Sequence, residues 1–253
     1  HQLIWVCYND DVFTTGVTID GYTTDAMHNL ILTVAENERH AGRAYSGVMI
    51  DPSAAGNVID VRDDYTVIEW LDIHDYGANG ASYAGIYLTN AVGVTVRNCI
   101  IHDDIYNARS YGIYDNGTGG GHFLYNNIIY AGEISKAMMA GIQFNAATAG
   151  SSVYNNTLYD GSDLTTSKGI FTSNTANCTV SNNLVCDFAE DFTRSGTGTW
   201  VATSNYNASS DTSAPGANSL LSITSADQFV AVTPSREDLH TLTGSDVLDV
   251  GKD

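Results

Sequence analysis

The chain has 253 residues, and 29 acidic against 10 basic side chains give it a formal net charge of −19. That balance excludes the basic footprint nucleic-acid binding requires and disfavours an anionic membrane surface; the acidity reads first as solubility, including in a salty habitat that screens exposed charge. With 43% hydrophobic and only 15% charged residues, and 24 glycines against 3 prolines, the chain can build a core from many short strands joined by glycine turns, and helix is expected to be minor.

In chain order, residues 1–64 carry strand-like pieces at Val17-Thr18-Ile19, Leu30-Ile31-Leu32-Thr33-Val34 and Val58-Ile59-Asp60-Val61. The opening His1-Gln2-Leu3-Ile4-Trp5-Val6 lacks a basic start, an apolar run and a small-residue cleavage site. No stretch reaches about 18 uncharged apolar residues, so membrane insertion is not expected. Cys7, Cys99, Cys178 and Cys186 show no C-x-x-C spacing and are too few for a disulfide scaffold, and they leave the compartment open.

From residue 65 to 195 the chain repeats itself. Five segments align, beginning at Ile68, Val96, Leu124, Val153 and Val180, and the steps from Trp70 to Asn98, Asn126, Asn155 and Asn182 are 28, 28, 29 and 27 residues. A second motif, at Gly85-Ile86, Gly112-Ile113, Gly141-Ile142 and Gly169-Ile170, steps by 27, 29 and 28. Two motifs that share one period declare a solenoid. No helical periodicity lies between the strands, and a propeller blade needs roughly 40 residues or more. A coil of about 28 residues fits three short strands and three turns, each strand pairing with its equivalent one coil on, about 4.8 Å away. Parallel crossovers are overwhelmingly right-handed. The expected fold is therefore all-β, a single right-handed parallel β-helix. A strand at the very first residues would leave one solenoid end uncovered, as in a mature or trimmed chain.

The pattern also assigns faces. Ile73, Ile101, Ile129, Leu158 and Val185 must point inward, as must Ile86, Ile113, Ile142 and Ile170, because a coil can bury its apolar face only against its neighbours. Ile101 and Ile129 are accordingly expected to be fully buried neighbours. Alternation turns Tyr87, Tyr114, Gln143 and Phe171 outward. Asn98, Asn126, Asn155 and Asn182 sit where a tight turn is needed, tolerate left-handed backbone, and can stack as a hydrogen-bonded ladder. After Asp187 the register fades; residues 196–253 read as Ser/Thr/Asn/Gly-rich loops and an irregular stretch through Phe229, Leu239 and Val250 that caps the solenoid.

Two surfaces are candidates for chemistry. His74 and His102 occupy equivalent positions on adjacent coils, followed by Asp75, Asp103 and Asp104. Carboxylates one coil apart are about 5 Å apart, near the spacing of retaining glycosidases, and two coils apart they approach the inverting range. The same three acids can bind Ca²⁺, a hard cation that takes several oxygens. The histidines have the intrinsic pKa of general bases; zinc lacks evident third and fourth ligands here. The competing structural reading is that the acids only bond turn amides, as Asp160 and Asp187 in the same column do, and that His74, His102, Tyr130 and Tyr159 form an exposed stacked ladder. The second surface is the outward row Tyr87, Tyr114, Gln143 and Phe171, whose rings can stack on sugar faces or simply pair with one another. Loops carrying Tyr106, Arg109, Glu133, Lys136, Asp163 and Lys168 would wall that groove.

The inward-Ile coils, the Asn column and the Gly-Ile strands, over roughly residues 58 to 190, resemble the pectin-lyase-like superfamily of right-handed parallel β-helices. Val17 to Ala26 and Glu38-Arg39-His40-Ala41-Gly42 resemble the opening of bacterial and phage β-helix proteins without an assigned activity. The resemblance implies contact with polysaccharide and an extracellular or virion-associated setting. It brings no catalytic residue: Trp70-Leu71-Asp72-Ile73-His74 departs from the W-I-D-H signature of pectate lyases. Gly120-Gly121-His122-Phe123 and Asn116-Gly117-Thr118 depart from the polygalacturonase motifs. The leading expectation is a carbohydrate-binding β-helix. The rivals are a glycoside hydrolase or calcium-assisted lyase using Asp75, Asp103 and Asp104 with Arg109, Lys136 or Lys168 on the substrate, and a purely structural or assembly module. The net charge repels a polyanion and favours a neutral glycan.

Overall fold

The computed structural model describes residues 2–52, 56–76, 82–102, 110–132, 138–145, 149–162, 165–173, 177–197, 199–233, 237–248 and 250–251. The chain winds through three parallel sheets in turn. The first holds Leu3–Cys7, Leu30–Val34, Val67–Glu69, Thr95–Arg97, Phe123–Tyr125, Ala149–Tyr154, Asn177–Ser181 and Thr199–Trp200. The second holds Met49–Ile50, Asp72–Ile73, Ile100–His102, Ile128–Ala131, Thr157–Asp160, Leu184–Cys186 and Ala208–Ser209. The third holds Val17–Ile19, Ile59–Val61, Tyr83–Leu88, Ser110–Asp115, Met138–Phe144, Lys168–Thr172 and Glu190–Arg194. The repeat therefore sets the architecture, and the strands read in residues 1–64 are its opening coils.

The register is the one the period dictates: Ile101 pairs with Ile73 on one side and Ile129 on the other, and Ile113 lies between Ile86 and Ile142. Ile101 and Ile129 are fully buried, within one core that also takes Val96, Leu124, Leu158 and Ile170. The glycines that precede the inward isoleucines have a packing reason. A Cβ on Gly112 would lie 2.5 Å from Gly141 O and 2.5 Å from Ile129 Cγ2, and one on Gly169 2.2 Å from Val185 Cγ1. The third sheet runs so close to the second at this level that no side chain fits.

Two expectations are corrected in the turns and at the end of the chain. Asn98, Asn126, Asn155 and Asn182 do take left-handed backbone, with φ of 55° or 56°. The buried hydrogen-bonded ladder, however, is made by the residue after each of the last three and by Asn207. Asn127 Nδ2 donates to Asn156 Oδ1, Asn156 Nδ2 to Asn183 Oδ1 and Asn183 Nδ2 to Asn207 Oδ1, each at 3.0 Å. The left-handed residue turns the chain so that the next amide points into the solenoid, where each rung satisfies backbone groups of its neighbours. Asn207 also shows that the coils continue past Asp187, through Glu190–Arg194, Thr199–Trp200 and Ala208–Ser209. The segment around Ala214 and Leu220 closes over the last coil, with Ala214 in the main core and Leu220 bridged to Ala208, but the stretch through Phe229 and Leu239 lies elsewhere. The short helix Ser225–Gln228 and the hairpin of Phe229–Ala231 with Asp238–Thr241 lie along the outer face of the second sheet. Ile223, Phe229 and Leu239 form a second core there with Ile100, Tyr130, Tyr159 and Leu184.

Candidate functional site

The outward column of the second sheet is built by register. Ile73 pairs with Ile101 and His102 with Tyr130, so His74, His102 and Tyr130 stack in sequence, with centroid separations of 5.2 and 5.1 Å. The expected ladder exists, but it is not exposed. His102 is completely buried, Tyr130 and Tyr159 nearly so, because the C-terminal hairpin and Tyr45 cover this face; the Tyr45 ring stands edge-on to both histidines. His102 Nε2 lies 2.8 Å from Asp72 Oδ1, and Asp72 Oδ2 accepts the Tyr45 backbone N–H at 2.6 Å. Asp72 is fully buried, so this pair fixes the Tyr45 loop onto the sheet and leaves His102 no solvent path.

Asp75 follows His74 at the coil corner with φ of 54°, and its side chain is one-third exposed. At the same corner Asp160 Oδ1 accepts the Ser162 N–H at 2.9 Å, and burial raises its carboxyl pKa; Asp187 also turns left-handed, with φ of 64°. Asp160 thus takes the turn-bonding role that competes with catalysis for this column, whereas the Asp187 carboxylate accepts from the Ser225 hydroxyl. Asp103 and Asp104 lie outside the described residues, as do Arg109 and Lys136. Among the described residues Asp75 is joined by Asp51 and His74; one ligand atom from each of these three lies within 4.8 Å of the others. Asp51 carries no sequence signal, because the strand it ends is 23 residues, not 28, before its partner His74.

The third sheet carries a groove of about 630 Å³ on its outer face. Tyr114, Gln143 and Phe171 line it as alternation implies, and Lys168 stands in its lining as expected of the groove wall, although it belongs to the strand Lys168–Thr172 and not to the loop before it. Tyr111, Met139, Asn145, Thr165, Thr166, Ser167 and Glu190 also line it, which the sequence reading missed. The aromatic row is less exposed than expected. Tyr114 and Gln143 are only 5% and 6% exposed and form the floor, while Phe171 and Lys168 are half-buried. Tyr111 stacks on Tyr114 at 4.2 Å, and Tyr87 meets Tyr114 edge-on at 5.3 Å outside the groove lining. Lys168 Nζ sits 4.2 Å from the Phe171 ring centroid and covers one face of it. Along the rim, Asn116 Nδ2 donates to the Tyr87 hydroxyl, Asn145 Nδ2 to Asn116 Oδ1 and the Ser173 hydroxyl to Asn145 Oδ1. Burial raises the Tyr114 phenol far above its ordinary value, so it stays a neutral donor to Asn116 Oδ1.

Cys186 continues the buried outward column of the second sheet, paired with Tyr159, and none of the four cysteines lines the groove. All four are unpaired, and burial pushes the Cys99 and Cys178 thiols up to about 12, which makes them inert core residues. No helix among the described residues is long and apolar enough to cross a membrane.

Comparison with known proteins finds no match among curated proteins and none among solved structures. The family model described as "Right handed beta helix region" matches residues 44–213, more than half of the chain, and so covers the coils that build both surfaces. Its hand is the one the crossover rule gives. By this match and by its three-sheet winding, the chain belongs to the right-handed β-helix family.

Proposed function

We propose that this β-helix binds a neutral glycan in the groove on the outer face of its third sheet, in an extracellular or virion-associated setting. The observation that supports it is the groove's lining. Apolar ring and thioether surface from Tyr111, Tyr114, Phe171 and Met139 alternates with the amides of Gln143 and Asn145 and the hydroxyls of Thr165, Thr166 and Ser167. A pyranose presents the complementary pattern, C–H faces that pack on rings and hydroxyls that exchange hydrogen bonds, and the volume is in the range of small-ligand clefts. Lys168 pairs in register with Glu190, so the groove carries opposed charges, and the net charge of −19 opposes a polyanion. The reading is binding rather than hydrolysis because Glu190 is the one carboxylate among the described lining residues, and both glycosidase geometries use two.

Affinity electrophoresis through gels containing neutral or uronic-acid polysaccharides tests this. The expected result is retardation by at least one neutral polysaccharide, abolished by Phe171→Ala. No retardation by any of them, or retardation unchanged in the variant, refutes the reading.

A further inference from the structure

We infer that Asp51, His74 and Asp75 form a binding site for a first-row divalent cation such as zinc. The site is separate from the groove and lies at the early end of the second sheet. Ile50 pairs with Ile73, so the residues that follow them, Asp51 and His74, are neighbours across one coil step, and the left-handed corner at Asp75 brings its carboxylate back beside the imidazole. One donor atom from each residue lies within 4.8 Å of the others. Ligands held about 2.0–2.2 Å from an ion are themselves separated by about 3–4 Å, so small side-chain rotations close the set.

An independent observation comes from the imidazole itself. The His74 side chain is only 7% exposed, yet neither ring nitrogen has a hydrogen-bond partner. Asp75 Oδ2, 3.4 Å from Nδ1, is not aligned for a hydrogen bond. A neutral imidazole has one N–H and one lone pair, and burying both without partners is costly. One coil further, in the same stacked column, His102 meets that need with Asp72 Oδ1 at 2.8 Å. His74 lacks such an acid beneath it; instead it has two carboxylates beside it and a lone pair to offer.

The donor set selects the class of ion. Imidazole suits zinc and its first-row neighbours, while calcium takes oxygen donors almost alone. Two carboxylates offset the charge of a divalent ion, and the edge-on Tyr45 ring together with the stacked His102 ring holds the imidazole plane. The partly exposed Asp75 gives the ion a path from solvent, and three protein ligands leave a position for water.

The test is titration of the chelator-treated full chain with zinc by calorimetry and with cobalt(II) by its visible absorption. We expect one saturable equivalent and a melting temperature that rises with zinc concentration. His74→Gln and Asp75→Asn should each weaken binding at least tenfold. Asp25→Asn, which removes the acid of the exposed Asp25–His28 pair, should change nothing. Asp75→Asn guards against a folding artefact, because Asn tolerates the positive φ and the side chain is partly exposed. No saturable binding by the wild type, equal binding by Asp75→Asn with a native circular dichroism spectrum, or calcium competing with zinc at equal concentration overturns the proposal.

Discussion

Adjacent asparagines in one turn should respond very unequally to truncation. Asn156 is 1% exposed; its Oδ1 accepts from the backbone N–H and the Nδ2 of Asn127, and its Nδ2 donates to Leu124 O and Asn183 Oδ1. Asn156→Ala leaves the Asn127 N–H without an acceptor inside the solenoid, a cost of about 1–3 kcal/mol. The Nδ2 bonds, at about 1 kcal/mol each, bring the total to about 3–5 kcal/mol. Against a typical stability of about 5–15 kcal/mol that is a large share. Asn155, exposed and at φ 56°, serves only the turn, so Asn155→Gly keeps the conformation and should cost less than about 1 kcal/mol. Urea unfolding followed by far-UV circular dichroism gives both midpoints. Equal losses in the two variants, or a loss under about 1 kcal/mol for Asn156→Ala, would refute the assignment of the ladder to the second asparagine.

Three further outcomes follow from the packing and the buried acids. Gly112→Ala should destabilise by about 1–3 kcal/mol or more, because its Cβ meets Gly141 O and Ile129 Cγ2 at 2.5 Å; an unchanged melting temperature would show that the sheets can part there. Asp72→Ala strands His102 Nε2 and the Tyr45 N–H and should cost about 3–5 kcal/mol in thermal unfolding; a loss under about 1 kcal/mol would mean that water reaches the pair. Burial pushes the Asp191 carboxyl up to about 7, against about 3.9 in an unfolded chain. Between those values the folded state binds more protons, so this group's contribution is most stabilising near pH 4 and is lost as pH rises to 7, a change of the order of a few kcal/mol. The stability difference between wild type and Asp191→Asn should follow that slope, and a difference flat from pH 4 to 8 would contradict it.

What the sequence disclosed is what repeats. The period, the inward columns through Ile101 and Ile113, and the outward placement of Tyr114, Gln143 and Phe171 are local consequences of alternation and coil spacing. What it hid depends on contacts without a period. Both asparagines of each pair step alike, so spacing could not tell which one turns the chain and which fills the interior. The burial of His102 comes from Tyr45 and from a hairpin more than 120 residues later, whose reach is marked by the Arg43–Asp238 ion pair across 195 residues of chain. Asp51 joins His74 through a coil of only 23 residues, which falls outside the repeat. Glu190, at the far wall of the groove, belongs to a coil past Asp187, where the sequence repeat loses its register.

Glycan binding in the groove, as proposed, can be watched directly through Met139, which lines it, is 40% exposed and accepts the Tyr111 hydroxyl hydrogen bond on its sulfur. With the four methionine methyls ¹³C-labelled, titration with oligosaccharides of the polysaccharide that retards the chain should move the Met139 resonance saturably. Met27, 81% exposed and not part of the lining, should stay in place. A Met139 signal that does not move at saturating ligand, or that moves only as much as Met27, would contradict binding in the groove.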